Sequence, residues 1–373
     1  MLLSDICEII MGQSPSSDSY NVKGQGLPFF QGNADFGKLY PSVRLWCNCP
    51  IKKAEAGDLL VSVRAPIGAV NLANQKCCIG RGLAALRPYR DKCDAMYLYY
   101  LIKAGKNKLN WLGTGSTFKA ITRSSLLSFN VPDYCIAFQR KISGKLWSVD
   151  KLIHQRNEQL KLFDLLIQSR FLEMFGMSEG IDKHLEDVAD ICSGITKGRK
   201  VLGLELREVP YMAVSNVKMG YIDLSTVKTI MATENEIEQY RLFPNDILMT
   251  EGGDPDKVGR GAIIRNPPKD CIHQNHIFRV RLHKDVLLPE FFEEYLQGNS
   301  ARRYFLKAAK QTTGIASINM KQLRALPVKI PPIKVQIQYS DFVHQVDKSK
   351  LAVQKSLDEL ETLKKSLMQT YFG

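Results

Sequence analysis

The chain repeats itself, and a repeat of this length fixes most of what it can fold into. SRFLEMFG at 169–176 lies over SLMQTYFG at 366–373 at a shift of 197. The same shift places SVDK at 148–151 on QVDK at 345–348 and Gln139 on Gln336. Slightly upstream the shift is 199, with Gly115 on Gly314 and Val131-Pro132 on Ile330-Pro331. At the beginnings it is 182: DICEI at 5–9 lies over DVADI at 187–191, Gly12 over Gly194, and Leu27-Pro28-Phe29 over Val209-Pro210-Tyr211. GDLLVSV at 57–63 resembles NDILMTE at 245–251. A shift that drifts and then holds describes a variable globule followed by a segment of constant length. The divisions are a globule at 1–138, a helix at 139–176, a second globule at 177–335 and a second helix at 336–373.

Each globule opens with an amphipathic segment, read as helical. Short apolar runs broken by Gly, Pro and Asn follow. GLPFF, DLLVSV, AVNLA and GLAAL in the first copy read as strands, as do VPYMAV, YIDL, DILMT, GAIIR and IFRVRL in the second. One helix is expected near 94–109 and its counterpart near 288–309. The class is mixed α/β, without the regular alternation of a nucleotide-binding parallel sheet.

The two long segments carry heptads. The first has Leu146, Ile153, Leu160, Ile167 and Met174 in one column, with Val149, Arg156, Phe163 and Arg170 in the other. The second has Val343, Lys350, Leu357, Lys364 and Tyr371 alternating with Val346, Val353, Leu360 and Leu367. Antiparallel pairing sets the clean column of the first helix against Val346, Val353, Leu360 and Leu367, and leaves the basic positions along the other edge, where long side chains can snorkel. Parallel pairing would put Lys or Arg in most layers. Two long antiparallel coiled-coil helices within one chain are therefore expected, with a pseudo-twofold internal repeat. Some 37 residues at 1.5 Å each span about 55 Å.

Charge points to a polyanion. The formal net charge is +13, with 51 Lys and Arg against 38 Asp and Glu. The nine cysteines are irregularly spaced, which reads as reduced thiols in a cytoplasm. No apolar run is long enough for a membrane span, and the start carries Asp5 and Glu8 without a basic leader.

The two-copy layout, the GDLLVSVRAPIGAV and CCIGRGLAALRP segments, and the Pro-rich turn before each long helix ending in FG together resemble the specificity subunit of a Type I restriction–modification enzyme. The resemblance covers essentially the whole chain. It implies two target-recognition domains, each reading half of a bipartite, asymmetric site in double-stranded DNA. It also implies spacer helices that dock two methyltransferase subunits, with motor-nuclease subunits joining the complex. The chain itself would be non-catalytic. TEGGDPDKVGRGAII stands in the second copy where SVRAPIGAV stands in the first, so the half-sites should differ.

Direct readers need Arg, Lys, Asn or Gln at base edges and many donors on phosphates. GTGSTFKAITRSSL at 113–126 offers Thr114, Ser116, Thr117, Lys119 and Arg123. Its counterpart KQTTGIASINMKQL at 310–323 offers Lys310, Gln311, Thr312, Thr313, Asn319 and Lys321. Arg64 and Arg81 lie in the two family-like segments. Lys197, Arg199 and Lys200 crowd the loop after the second copy's opening segment, Arg260 sits in a glycine-rich loop, and Gln274 and Asn275 could read adenine. Any of these charges can equally be a solvated face.

Cys271, His273 and His276 lack a fourth ligand at sensible spacing, so no metal is expected. Asn266-Pro267-Pro268-Lys269 resembles the Asn-Pro-Pro-aromatic loop of adenine methyltransferases, but Lys269 replaces the stacking aromatic and no glycine-rich cofactor motif accompanies it. It reads as a turn. No cofactor and no phosphate-binding loop are expected. The alternatives are a self-contained nucleic-acid methyltransferase and an interaction scaffold without a DNA role.

Overall fold

A computed structural model describes the chain except residues 114–118, 177–179, 201–204, 255–257 and 313–314, and the side chains of 311, 312 and 315. Two compact units emerge, Met1–Glu158 with Val353–Gly373, and Gln159–Ala352.

In the first unit, the strands Cys7–Met11, Leu83–Pro88, Leu59–Ser62 and Val70–Leu72 lie in that spatial order, every pair antiparallel. Strand period two splits the core. Ile9, Leu59, Val61 and Leu86 face the helix Ala95–Ala104, while Leu60, Leu83 and Ala85 face Phe30 and Ile79 on the opposite side. Phe30 and Ile79 belong to a second sheet, in which Leu27–Phe30 runs parallel to Cys77–Ile79.

The second unit repeats this order with Ala189–Ser193, Ile277–Leu282, Asp246–Thr250 and Gly261–Ile264. Its rung Ile191, Val280, Ile247 corresponds to Ile9, Leu86, Leu59. Ile247, Met249 and Phe278 face one core, and Leu248, Ile264 and Ile277 the other. The same ion pair, a half-buried arginine on a buried aspartate, braces each sheet. Arg87 grips Asp58 at 3.0 and 2.8 Å, and Arg281 grips Asp246 twice at 2.8 Å. Both aspartates also accept from the backbone N–H three residues back, of Glu55 and Phe243.

Several expectations need correction. The amphipathic opening is mostly strand, because Cys7–Met11 and Ala189–Ser193 each pair with a long central strand; Leu3–Ile6 is a single α-helical turn and Leu185–Asp187 a 3-10 turn. YIDL forms no named strand and makes one bridge, Val217 to Ile222. Each expected single helix is two: Ala95–Ala104 and Lys106–Leu112 break at Gly105, and Pro289–Gln297 and Asn299–Ala308 break at Gly298. A Cβ on Gly105 would come within 2.5 Å of the Phe129 ring.

The long helices are Ile136–Phe175 and Ile333–Phe372, each starting three residues earlier than expected, directly after the proline-containing turns. In the first unit the beginning of one helix lies beside the end of the other. Leu146 shares a core with Leu367, Tyr371 and Phe372, and Lys364 pairs with Asp150. In the second unit Phe171 and Phe175 pack on Tyr339, and Lys350 Nζ lies 2.6 Å from Asp164. Of the expected seam, Leu146 and Val346 are buried; Ile153, Leu160, Ile167, Met174, Val353, Leu360 and Leu367 are half-buried. The second column withdraws as well. Val149, Val343 and Leu357 are buried and Arg156, Arg170, Lys350 and Lys364 half-buried, so the basic positions do not form a separate wet edge. The ammonium groups of Lys350 and Lys364 reach Asp164 and Asp150 while their stems pack.

Glu293 gives this fold a pH dependence. It is buried, Oε1 accepts from the Ile263 N–H at 2.8 Å, and Arg265 approaches to 3.7 Å. Burial pushes its carboxyl up to about 7, against the opposing pull of Arg265. A carboxyl raised in the folded state holds its proton more tightly there than in the unfolded chain. The contribution of this carboxyl to stability is therefore full below the ordinary 4.5 and is lost as pH rises to about 7. Glu293→Gln keeps the acceptor and removes this loss, which is worth at most about 3 kcal/mol at 1.36 kcal/mol per pKa unit. Urea unfolding should show the variant more stable than the parent at pH 8 and nearly equal to it below pH 4.5. An equal difference at both values would refute this.

Candidate nucleic-acid interface

Three backbone segments meet at one strand end in the first unit. The Val63 N–H donates to Gly82 O at 3.0 Å, the Ile121 N–H donates to Val63 O at 2.8 Å, and Arg64 bridges Ala120. This brings Arg64, Arg81 and Lys119 to one edge. All three are exposed and, among the described residues, none pairs with an acidic side chain. Arg81 is placed by its own N–H, which donates to Ser14 Oγ at 3.1 Å. Arg123 is exposed at the start of Arg123–Leu127, a helix capped by Thr122. Thr114, Ser116 and Thr117 lie outside the described residues.

The second unit builds the same frame. The Glu251 N–H donates to His276 O at 3.0 Å, the Ile318 N–H donates to Glu251 O at 2.8 Å, and Gly252 pairs with Ser317. Glu251 therefore stands where Val63 stands, Gly252 for Arg64, His276 for Gly82 and Ser317 for Ala120. A concave pocket of about 350 Å³ opens there, lined by Val214, Glu251, Gly252, His276 and Ser317. His276 Nδ1 lies 2.5 Å from Glu251 Oε2, with both side chains partly in solvent.

This frame corrects one expected equivalence. Ile121 matches Ile318, so Lys119 matches buried Ala316, and Lys321 matches Ser124. The two lysines do not occupy one register position, because the strand Ile315–Ser317 pairs into a small sheet and turns Ala316 inward. Lys310 is exposed at the start of Lys310–Thr312, opposite Ser317, and Lys321 is exposed on the helix Met320–Arg324. Asn319 caps that helix, its Oδ1 accepting from the Gln322 N–H at 2.9 Å. Thr313 and the side chains of Gln311 and Thr312 lie outside the described residues.

The remaining basic residues have different surroundings. Lys197 and Lys200 are exposed. Arg199 donates to both Glu236 carboxylate oxygens and, at 3.0 Å, to Met231 O, tying its loop to the capped start of Glu234–Tyr240. Arg260 is half-buried, its carbonyl accepting from the Thr250 N–H at 3.1 Å. Gln274 Oε1 accepts from the Val214 N–H at 3.4 Å, and the Asn275 N–H donates to Ile195 O at 3.0 Å, so both are partly engaged in the fold.

The sequence reading missed Glu251 and grouped His276 with the wrong neighbours. Cys271 and His273 are buried, and His273 Nδ1 contacts Tyr240 O at 3.1 Å. Burial lowers the His273 imidazole to about 4. His276 points instead to Glu251. Asn266-Pro267-Pro268-Lys269 lies between the strands Gly261–Ile264 and Ile272–His273, where the Cys271 N–H donates to Pro268 O at 3.1 Å.

Two α/β units of one strand order, each with the same backbone frame at the same strand end, define a tandem-repeat protein. Residues 1–162 and 179–362 match the family described as the Type I restriction modification DNA specificity domain, and the chain belongs to that family. The Methanocaldococcus jannaschii protein named putative type I restriction enzyme MjaX specificity subunit is 44% identical over 152 residues, 41% of this chain but only 36% of that protein. The Escherichia coli EcoKI specificity subunit is 24% identical over 327 residues, 80% of this chain and 68% of that one. A crystal structure of the Type-I restriction-modification system S subunit from M. genitalium shares the fold over 100% of this chain and 95% of that one, with TM-score 0.61 and 15% identity. None of the described helices is long and apolar enough to cross a membrane.

Proposed function

We propose that the chain reads a bipartite, asymmetric sequence in double-stranded DNA and delivers partner enzymes to it without performing catalysis. Each unit would contribute one target-recognition domain and read one half-site. The long helices would form an antiparallel coiled coil, relate the domains by a pseudo-twofold axis and set the gap between half-sites. The observation that carries this reading is the shared frame, with a family match spanning both copies. The frame is constant, as recognition of one duplex geometry requires. Its side chains differ, as two different half-sites require.

The proposed partners are two methyltransferase subunits and motor-nuclease subunits in a cytoplasmic complex. Support for docking on the helices comes from apolar side chains away from the heptad columns. Leu162, Leu165 and Leu166 are 62%, 55% and 45% exposed on the first long helix, and their spacing of three and four residues puts them on one face.

Duplex binding by the chain assembled with methyltransferase subunits, measured across salt concentrations, tests the reading. Log affinity should fall linearly with log salt. Lys119→Ala or Lys321→Ala should each weaken binding and reduce the slope by about one phosphate contact. Absence of duplex binding at low salt would overturn the proposal. Unchanged slopes in both variants would remove these lysines from the interface.

A further inference from the structure

The shared frame carries opposite chemistry in its two copies. In the first, the exposed side chain at the strand end is Arg64, a fork of donors with no acidic partner among the described residues. In the second, the arginine position is Gly252, and Glu251 and His276 occupy the pocket instead. A carboxylate facing a polyanion is unfavourable against phosphates, and this one sits in a chain of net charge +13. Its placement makes sense against a base edge, where carboxylates accept from exocyclic amino groups.

We infer that Glu251, held by His276, is a specificity-determining residue of the second unit that selects an amino-bearing base, while Arg64, one residue further along the matching strand end of the first, selects guanine. The inference rests on the proposed DNA-reading function and names the base chemistry of each half-site. His276 Nδ1 binds Glu251 Oε2 and leaves Oε1 without a partner among the described residues, free to accept from cytosine N4 or adenine N6. Gly252, Val214 and Ser317 line the pocket with small side chains, which leaves room for a base edge. Arg64 offers a fork that matches guanine O6 and N7. The side chain at 64 is exposed, and Ala120, which bridges to it, is small.

The test is sequencing-based mapping of the sites methylated by the chain assembled with its methyltransferase subunits. Glu251→Gln, which both donates and accepts, should relax one position of one half-site, with discrimination falling about tenfold to a hundredfold. The other half-site should keep every letter. Arg64→Ala should relax one guanine-containing position in the opposite half-site. His276→Ala, which frees the carboxylate without removing it, should weaken discrimination at the same position as Glu251→Gln. If the parent complex selects a bipartite site and Glu251→Gln and His276→Ala leave all its letters intact, the inference is wrong while the function stands. If the parent complex selects no site, the proposed function fails first. Glu251→Asp guards against misfolding: it keeps the charge, and a shift in discrimination at the same position supports the inference.

Discussion

Replacing Gln336 with Leu should lower the stability of the second unit by about 3–5 kcal/mol, because three backbone groups lose the side-chain partner they share. The amide is fully buried. Its Oε1 accepts from the Leu288 N–H at 2.9 Å, and its Nε2 donates to Val286 O at 3.0 Å and to Pro331 O at 2.8 Å. A stranded buried polar group costs roughly 1–3 kcal/mol; three of them, partly relieved by relaxation, give the figure above. Gln139 does the same work in the first unit, accepting from the Asp94 N–H at 3.0 Å and donating to Lys92 O at 2.9 Å and Tyr134 O at 2.8 Å. Gln139→Leu should therefore cost a similar amount. Each glutamine staples the start of a long helix to the segment that launches a globular helix. Urea unfolding of both variants measures the effect. A loss under about 1 kcal/mol in both would mean that water replaces the amide without penalty, and that the staple is incidental.

This glutamine shows how much of the fold was legible. The repeat superposed Gln139 on Gln336, but the sequence offers no sign of the three-bond geometry, which depends on loops brought in from some 50 residues away. Gly12 and Gly194 were superposed likewise. The reason is a close approach: a Cβ would come within 2.2 Å of Gly80 O in one copy and 2.0 Å of His273 O in the other. Most globule strands were visible as apolar runs, because strands buried on both faces, such as Leu59–Ser62, read as continuous hydrophobic segments. The opening strands Cys7–Met11 and Ala189–Ser193 were not, since exposed Glu8 and Asp190 between buried or half-buried neighbours give them an amphipathic look.

The candidate site was half legible for a related reason. Arg64, Arg81 and Lys119 stood out as charges, yet their meeting at one edge is a product of backbone pairing between residues distant in sequence. The drifting shift concealed the true register. Glu251 and His276 sit 25 residues apart and become one feature only when the strand end folds back. The heptads were read as one apolar column and one spare edge. Both columns withdraw from solvent instead, because aspartates at 150 and 164 receive the lysines of the facing segment within each unit.

The largest functional effect is expected from lengthening the helices. The proposal is that their constant length, held at a shift of 197 through both copies, sets the distance between half-sites. Adding one heptad to each would extend an antiparallel pair by about 10 Å at 1.5 Å per residue. On B-DNA that is about three base pairs, at roughly 3.4 Å each. The added rotation should lower affinity, because the globules turn relative to their grooves. No reading residue moves within its own globule, so the letters of each half-site should not change. Mapping methylated sites for the parent and lengthened complexes measures gap and letters together. The account predicts a gap about three base pairs longer, flanked by unchanged half-sites. A stably folded lengthened variant that keeps the parent gap, or one that changes the half-site letters, would contradict it.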